Sequence, residues 1–193
     1  MFSRVKYPIT IRHDTKEMWI KQPEVDIGAM YVQLPKDIDI ALLPISFLAD
    51  DDILGKYEIR PGDTVFALGF PLGQESNSAG FPILRMGTIS SYPIIPTKTN
   101  KTFLFDFEVF QGNSGGPVFL VQQNRIYGGG THLGIVSLIL GLVSEQRKLD
   151  IQVSTPFEAS TKEYPLKLGV VIHASFIKDT VELLSKSETI QKQ

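Results

Sequence analysis

Apolar residues along this chain fall in short runs, many of them alternating with polar residues, and Gly, Pro, Asn and Asp separate the runs. Runs of this kind are typical of strands, because successive side chains of a strand point to opposite faces. Many short strands with turn signals between them indicate a sandwich or barrel rather than alternating strands and helices. The pattern therefore predicts an all-β fold. Strands are expected at residues 9–11, 17–20, 26–32, 39–45, 64–70, 83–90, 102–110, 117–121, 132–140 and 168–174.

A different period appears near the C-terminus. Phe176, Val181, Leu183 and Leu184 recur at helical spacing, with charged residues between them. A helix with this spacing buries one apolar stripe and leaves its charges in solvent. The pattern predicts one C-terminal helix over residues 176–186 that packs back on the strands.

Composition narrows the class of protein. The chain has 193 residues, of which 42% are hydrophobic and 21% charged, as in an ordinary globular protein. A net charge of −2 and a pI near 5.9 give no basic footprint, so nucleic acid is not an expected partner. The acidic run Asp50–Asp52 is interpreted as a solvated loop, with a cation site as the alternative.

Targeting signals are absent from the sequence as well. The first residues lack the apolar core of a signal peptide, and no run of about eighteen apolar residues occurs, so no contact with a membrane is expected. Because the chain contains no cysteine, we expect no disulfide and favour a reducing compartment such as the cytoplasm.

One serine lies among glycines in the segment FQGNSGGPVFL, residues 110–120. A serine hydroxyl is a weak nucleophile unless a base takes its proton and donors stabilise the oxyanion that forms. Two backbone N–H groups can be aimed at one point only if the chain turns sharply beside the serine, in a conformation open mainly to glycine. The N–H groups of Gly112 and Ser114 are the candidate donors, and Gly115 and Gly116 leave room for a bound carbonyl. The simpler alternative is a glycine-rich β-turn with an incidental serine.

This segment resembles the nucleophile motif G-[DN]-S-G-G-P of trypsin-like serine peptidases, in the asparagine form usual in the bacterial, HtrA-like branch. Asp106, eight residues before Ser114, matches an aspartate common at that place. Other segments resemble family strands in the same order along the chain. They are RPGDTVFALGFPLG (60–73), ILRMGTISS (83–91), LGIVSLILG (133–141) and LGVVIHASFIKDTVELL (168–184).

The resemblance implies a trypsin-like double β-barrel and a division of the chain into three parts. Residues 1–73 would form the remainder of an N-terminal barrel, residues 74–175 a six-stranded C-terminal barrel with the nucleophile, and residues 176–193 a helix and tail. It also implies a serine endopeptidase that hydrolyses polypeptides through an acyl-enzyme and needs no cofactor or metal.

Substrate-binding residues follow from the same resemblance. The segment 133–141 resembles the strand that walls the specificity pocket, which implicates Val136, Ser137 and Leu138. Glu108, six residues before Ser114, would lie at the base of that pocket and favour Lys or Arg through a charge-assisted hydrogen bond. Alternatively Glu108 is a surface carboxylate, because apolar and polar residues alternate around it along the chain.

Two carboxylates compete for the role of the triad aspartate, which in this family orients the catalytic imidazole. Asp26 is preferred, because Trp19 and the approach QPEVD resemble the pattern that precedes the aspartate in some bacterial relatives. Asp39 has the closer local match, DIALL.

The base is the difficulty, because the chain has only three histidines. His132 and His173 both follow Ser114, in the barrel where the family does not place its base. His13 precedes Asp26 by only twelve residues, too few for the intervening strands, and the pattern around it predicts a hairpin with its turn at residues 13–16.

The strands that carry the base in the family are therefore not recognised, and the first barrel is expected to be incomplete at its N-terminal side. Two interpretations remain open. One is a serine endopeptidase whose base-bearing segment is missing from this chain. The other is a catalytically silent trypsin-like domain that binds peptides by β-augmentation along residues 135–139.

Overall fold

Most of the chain is described by a computed structural model, which covers residues 6–191 except 37, 39, 41, 132 and 155–158. The strands are β1 (Arg12–His13), β2 (Lys16–Glu17), β3 (Ile20–Lys21), β4 (Gly28–Ala29), β5 (Thr64–Gly69), β6 (Ile83–Thr88), β7 (Thr102–Asp106), β8 (Pro117–Gln123), β9 (Ile126–Tyr127), β10 (Gly130–Thr131), β11 (Ile135–Ser154) and β12 (Ala159–His173). The α-helices are α1 (Asp51–Lys56) and α2 (Ala174–Gln191), with single 3-10 turns at Ile45–Phe47 and Pro71–Gly73.

Six strands form one antiparallel sheet in the order β6-β5-β8-β11-β12-β7. The sheet curls until its two edge strands meet, because Ile89, just after β6, forms a bridge with Phe105 of β7. The Ser90 N–H also donates to the Leu104 carbonyl at 2.8 Å. Beyond the sheet, β11 and β12 continue as a two-stranded arm that is paired as far as Ser154 and Ala159. The all-β, barrel-like fold with a C-terminal helix that the sequence predicts is confirmed.

The core lies inside this curled sheet. Alternate residues of each strand point inward, so the period of two in the sequence becomes one buried face. The buried side chains include Val65, Ala67, Phe103, Phe105, Val118, Leu120, Leu140, Val143 and Val171. Helix α2 extends the core at one end, where Phe176 packs with Ile172 and with Ile27 of the N-terminal segment. Neither helix in the described part of the chain is both long and apolar enough to cross a bilayer.

The N-terminal segment is less regular than the sheet. The strands before β5 in the described part of the chain form two short hairpins, β1–β2 and β3–β4, and no closed barrel. The hairpin predicted around His13 is confirmed, since His13 pairs with Lys16. Strand β5 precedes the boundary expected at residue 74, yet it pairs with β6 and β8 inside the large sheet. The sheet thus takes in a strand that the sequence analysis placed with the N-terminal barrel, and the division into domains stays a prediction.

The interpretation of the acidic run as a solvated loop is wrong, because these residues begin α1. Asp50 is the N-cap, and its side chain accepts a hydrogen bond from the Ile53 N–H at 3.1 Å. Carboxylates are favourable there because the first N–H groups of a helix have no partner within the helix. Lys178 of α2 donates to Asp50 at 2.6 Å, and this hydrogen bond lowers the pKa of the Asp50 carboxyl.

A buried ion pair joins the turn between β8 and β9 to the segment after α1. Arg125 is 3% exposed, and its two terminal nitrogens donate to the Asp63 carboxylate at 2.9 and 2.7 Å. The same guanidinium donates to the backbone carbonyls of Tyr57 at 2.6 Å and Glu58 at 2.8 Å. Since the Arg125 side chain is only 4% exposed, removal of its carboxylate partner leaves a buried charge without compensation.

We therefore expect Asp63→Asn to lower the free energy of unfolding by about 3 kcal/mol. Chemical denaturation followed by circular dichroism measures this change. The matched control is Glu163→Gln, which breaks the exposed pair between Lys148 and Glu163 and should leave the unfolding midpoint unchanged. Equal effects of the two substitutions would show that burial does not distinguish the pairs.

Candidate active site

The segment between β7 and β8 forms a tight loop that carries Ser114. The Asn113 N–H donates to the Phe110 carbonyl and the Gly116 N–H donates to the Asn113 carbonyl, each at 3.0 Å. The loop is tied to the end of β5, because the Phe70 N–H donates to the Gly112 carbonyl at 3.0 Å. Ser114 itself is exposed at the apex.

Two of the loop glycines are required by the geometry. Gly112 has φ +92°, and a β-carbon at this position would collide with the carbonyl oxygen of Phe70. A β-carbon on Gly116 would collide with the carbonyl oxygen of Leu68. The loop therefore lies on the backbone of β5 so closely that no side chain fits between them.

Asn113 holds the loop from inside. Asn113 is only 2% exposed, and its Oδ1 accepts a hydrogen bond from the Phe110 N–H at 2.9 Å. Gly69 makes room for it, because a β-carbon there would lie 2.6 Å from Asn113 Nδ2. The asparagine of the motif is thus buried against Gly69, and its side chain is hydrogen-bonded to Phe110.

The Ser114 hydroxyl donates a hydrogen bond to the Ser144 carbonyl, with Oγ and O 2.6 Å apart. This carbonyl is presented by a bulge in β11, where the register against β12 shifts between Val143 and Glu145. The Gly115 N–H donates to the Val143 carbonyl at 2.8 Å, and the Val143 N–H donates to Gly116 at 2.9 Å. A carbonyl accepts a hydrogen bond but does not take the proton, so this arrangement does not activate the hydroxyl.

The sequence patterns did not single out Ser144 as a neighbour of Ser114, although a repeated tetrapeptide could have indicated it. The tetrapeptide from Gly134 to Ser137 reads GIVS, and the one from Gly141 to Ser144 reads GLVS. The structure places the second of them, rather than the first, beside the serine loop.

Val136, Ser137 and Leu138 lie elsewhere along β11. They pair with Gln122, Val121 and Leu120, toward the far end of β8. The structure does not bring these three residues to Ser114.

The N–H groups of Gly112 and Ser114 are both available. Within the described residues neither of them donates a hydrogen bond. They lie at a cleft of about 360 Å³ whose walls include Ser114, Leu68, Phe70 and Pro117. An exposed hydroxyl with two free donors beside an apolar cleft is an arrangement that can hold a carbonyl and stabilise its oxyanion.

Glu108 does not line that cleft. It is half-buried, and its backbone carbonyl accepts a hydrogen bond from Arg85 Nη1 at 2.9 Å. No group of three acidic or histidine side chains among the described residues is arranged to hold a metal ion.

Comparison with known families agrees with this geometry. The profile of a family described as "Trypsin-like peptidase domain" matches residues 9–128, which include the serine loop and more than half of the chain. The chain belongs to this family. No curated protein and no solved structure gives a significant match to it. Membership supports a serine peptidase-type function with polypeptide substrates.

Of the two candidate carboxylates of this trypsin-like peptidase domain, the described residues include only Asp26, and it has no contact with Ser114. The Asp26 side chain is 91% exposed, and its recorded partner is Lys21, at 3.9 Å between Oδ1 and Nζ. Asp39 lies outside the described residues.

The two described histidines are also placed apart from Ser114. His13 is 81% exposed in the β1–β2 hairpin and lies 3.3 Å from the Asp14 carboxylate. His173 is 1% exposed and packs against Phe103, with ring centroids 4.9 Å apart. His132 lies outside the described residues. No histidine in the described part of the chain hydrogen-bonds to Ser114.

The burial of His173 has an effect on stability. Neither ring nitrogen has a hydrogen-bond partner within the described residues. Burial lowers the pKa of His173 from 6.5 to about 4, and the Asp51 carboxylate opposes this only in part. The unfolded chain therefore binds a proton at this residue more readily than the folded protein does.

We expect the free energy of unfolding to fall by about 3 kcal/mol from this group as the pH drops from about 6.5 to about 4. Above and below this interval His173 contributes no slope. His173→Leu should reduce the slope, because it removes the titrating ring without breaking a hydrogen bond.

Urea unfolding across this pH range measures the effect. His13→Leu, the same substitution at an exposed site, should keep the slope of the wild-type protein. A slope that survives in His173→Leu would show that other groups titrate in its place.

Proposed function

We propose that this trypsin-like peptidase domain is a serine endopeptidase of the HtrA-like type with Ser114 as its nucleophile. The observation that carries the proposal is the pair of free N–H groups, on Gly112 and Ser114, beside the exposed hydroxyl. Ser114 Oγ would attack the peptide carbonyl carbon while the two N–H groups stabilise the oxyanion. Loss of the amine leaves an acyl-enzyme, which water then hydrolyses.

We propose that the general base of this reaction is a histidine. No histidine among the described residues is in contact with Ser114. The base would have to replace the Ser144 carbonyl as the acceptor of the Ser114 hydrogen bond and then take the proton. Asp26 is the proposed orienting carboxylate, with Asp39 as its alternative. The preference for basic side chains expected of Glu108 stays a prediction.

A second candidate function is peptide binding without catalysis. The bond from Ser114 to a carbonyl favours it, since that contact leaves the hydroxyl without a base. Residues 135–138 of β11 pair with β8 on one side and have no strand partner on the other among the described residues. A peptide could extend the sheet there, but not past Ile139, whose carbonyl already accepts from the Ala49 N–H at 2.9 Å.

A fluorophosphonate probe tests the first proposal, because the P–F bond breaks as Ser114 Oγ bonds to phosphorus. We expect slow labelling of the chain alone. Added imidazole should accelerate labelling on the order of tenfold or more, since it supplies a small base to an exposed hydroxyl. Ser114→Ala should abolish the label.

The matched control is Ser76→Ala. Ser76 is another exposed serine whose hydroxyl donates to a backbone carbonyl, that of Phe81 at 3.2 Å, and its loss should leave labelling unchanged. If imidazole accelerates no labelling at Ser114, the peptidase proposal fails. Peptide binding measured by calorimetry would then favour the binding module.

A further inference from the structure

Arg85 occupies an unusual place for a charged residue. It pairs with Ala67 across β6 and β5, and its flanking residues Leu84 and Met86 are exposed. Since side chains alternate along a strand, Arg85 lies on the same face as the buried Ala67. The guanidinium is therefore directed to the inner side of the sheet, and the residue is partly buried there.

Three contacts connect Arg85 to the segment that leads into the serine loop. The guanidinium carbon lies 4.2 Å from the ring centroid of Phe107 and 5.7 Å from that of Phe110. Nη1 donates to the Glu108 carbonyl at 2.9 Å. Phe107 in turn stacks on Phe105, with centroids 4.5 Å apart, so the contact reaches the core of the barrel.

Gly87 allows this approach. It lies two residues after Arg85 on the same face of β6, and a β-carbon there would collide with the Asp106 carbonyl oxygen. The segment after β7 thus crosses β6 in direct backbone contact. The Arg85 side chain contacts the same segment at Phe107, Glu108 and Phe110.

The position of Phe110 is transmitted to the two N–H groups at the site. Phe110 is bonded in both directions to Asn113, through its N–H to Oδ1 and through its carbonyl to the Asn113 N–H. Asn113 lies between Gly112 and Ser114, whose N–H groups are the proposed oxyanion donors. A shift of Phe110 therefore moves both donors.

The contacts require an arginine. A planar guanidinium can stack on an aromatic ring and donate in its own plane at the same time, whereas a lysine ammonium is a point charge on a flexible stem. No carboxylate among the described residues forms an ion pair with Arg85, so charge pairing does not explain its presence.

We propose that Arg85 is a positioning residue that, through Phe107, Glu108 and Phe110, sets the direction of the Gly112 and Ser114 N–H groups. The catalytic consequence of this role rests on the proposed peptidase function. The positioning itself does not.

The test compares Arg85→Met and Arg85→Lys with the wild-type chain. The first readout is backbone amide exchange at Phe110 and Asn113, with the amide chemical shifts of Gly112 and Ser114, measured by NMR. We expect exchange to rise about tenfold in both variants, because opening of the loop becomes less costly. The lysine should not rescue it. Arg12→Met, at an exposed arginine paired with Glu17, is the control and should change neither quantity.

The second readout is imidazole-assisted labelling of Ser114, which should fall about tenfold to a hundredfold in both Arg85 variants. Unchanged exchange and shifts in Arg85→Met, or full rescue by lysine, would overturn the proposal. So would faster exchange with wild-type labelling. If the wild-type chain does not label at all, the peptidase function fails, and the amide measurements alone decide the positioning role.

Discussion

Two backbone hydrogen bonds between the serine loop and β11 determine the geometry of the whole site. The Gly115 N–H donates to Val143 and the Val143 N–H donates to Gly116, so the loop is attached to the sheet as if it continued β8. Gly115 is needed for its φ of +79°, and Gly116 because a β-carbon there would collide with the Leu68 carbonyl oxygen. The two hydrogen bonds also bring the bulge at Ser144 under the nucleophile. If this pairing slipped by one residue, the carbonyl that now accepts the Ser114 hydrogen bond would point to the other side of the strand.

The same pairing gives the Ser114 hydroxyl a hydrogen-bond acceptor that is not a base. The Gly112 and Ser114 N–H groups donate no hydrogen bond within the described residues, whereas the Ser114 hydroxyl donates one to the Ser144 carbonyl. A base would have to replace the Ser144 carbonyl as the hydrogen-bond acceptor of Ser114. In the proposed mechanism, oxyanion stabilisation and activation of the nucleophile are therefore separable. The loop would supply the first, and the second would need a base that is not seen in contact with Ser114 among the described residues.

Two arginines hold loops in this protein by different means. Arg125 uses all of its donors on a carboxylate and carbonyls in a buried site, so its charge is compensated by an opposite charge. Arg85 uses two aromatic rings and one carbonyl. The first arrangement depends on burial of an ion pair, and the second on the shape of the guanidinium. Both arginines attach irregular segments to the sheet outside its ladder of backbone hydrogen bonds.

The sequence by itself determined the all-β class, the C-terminal helix, the hairpin at His13 and the serine loop, because each depends on local periodicity or on glycine conformation. It could not determine which of two similar tetrapeptides, GIVS or GLVS, lies beside Ser114. Both alternate in the same way, and only the register of β11 against β8 separates them. The acidic run at residues 50–52 was likewise ambiguous, since carboxylates suit both a loop and a helix start. Arg85 carries no motif at all. Its role arises from the crossing of β6 by the segment after β7, and such long-range approach is decided by tertiary packing, which no local pattern encodes.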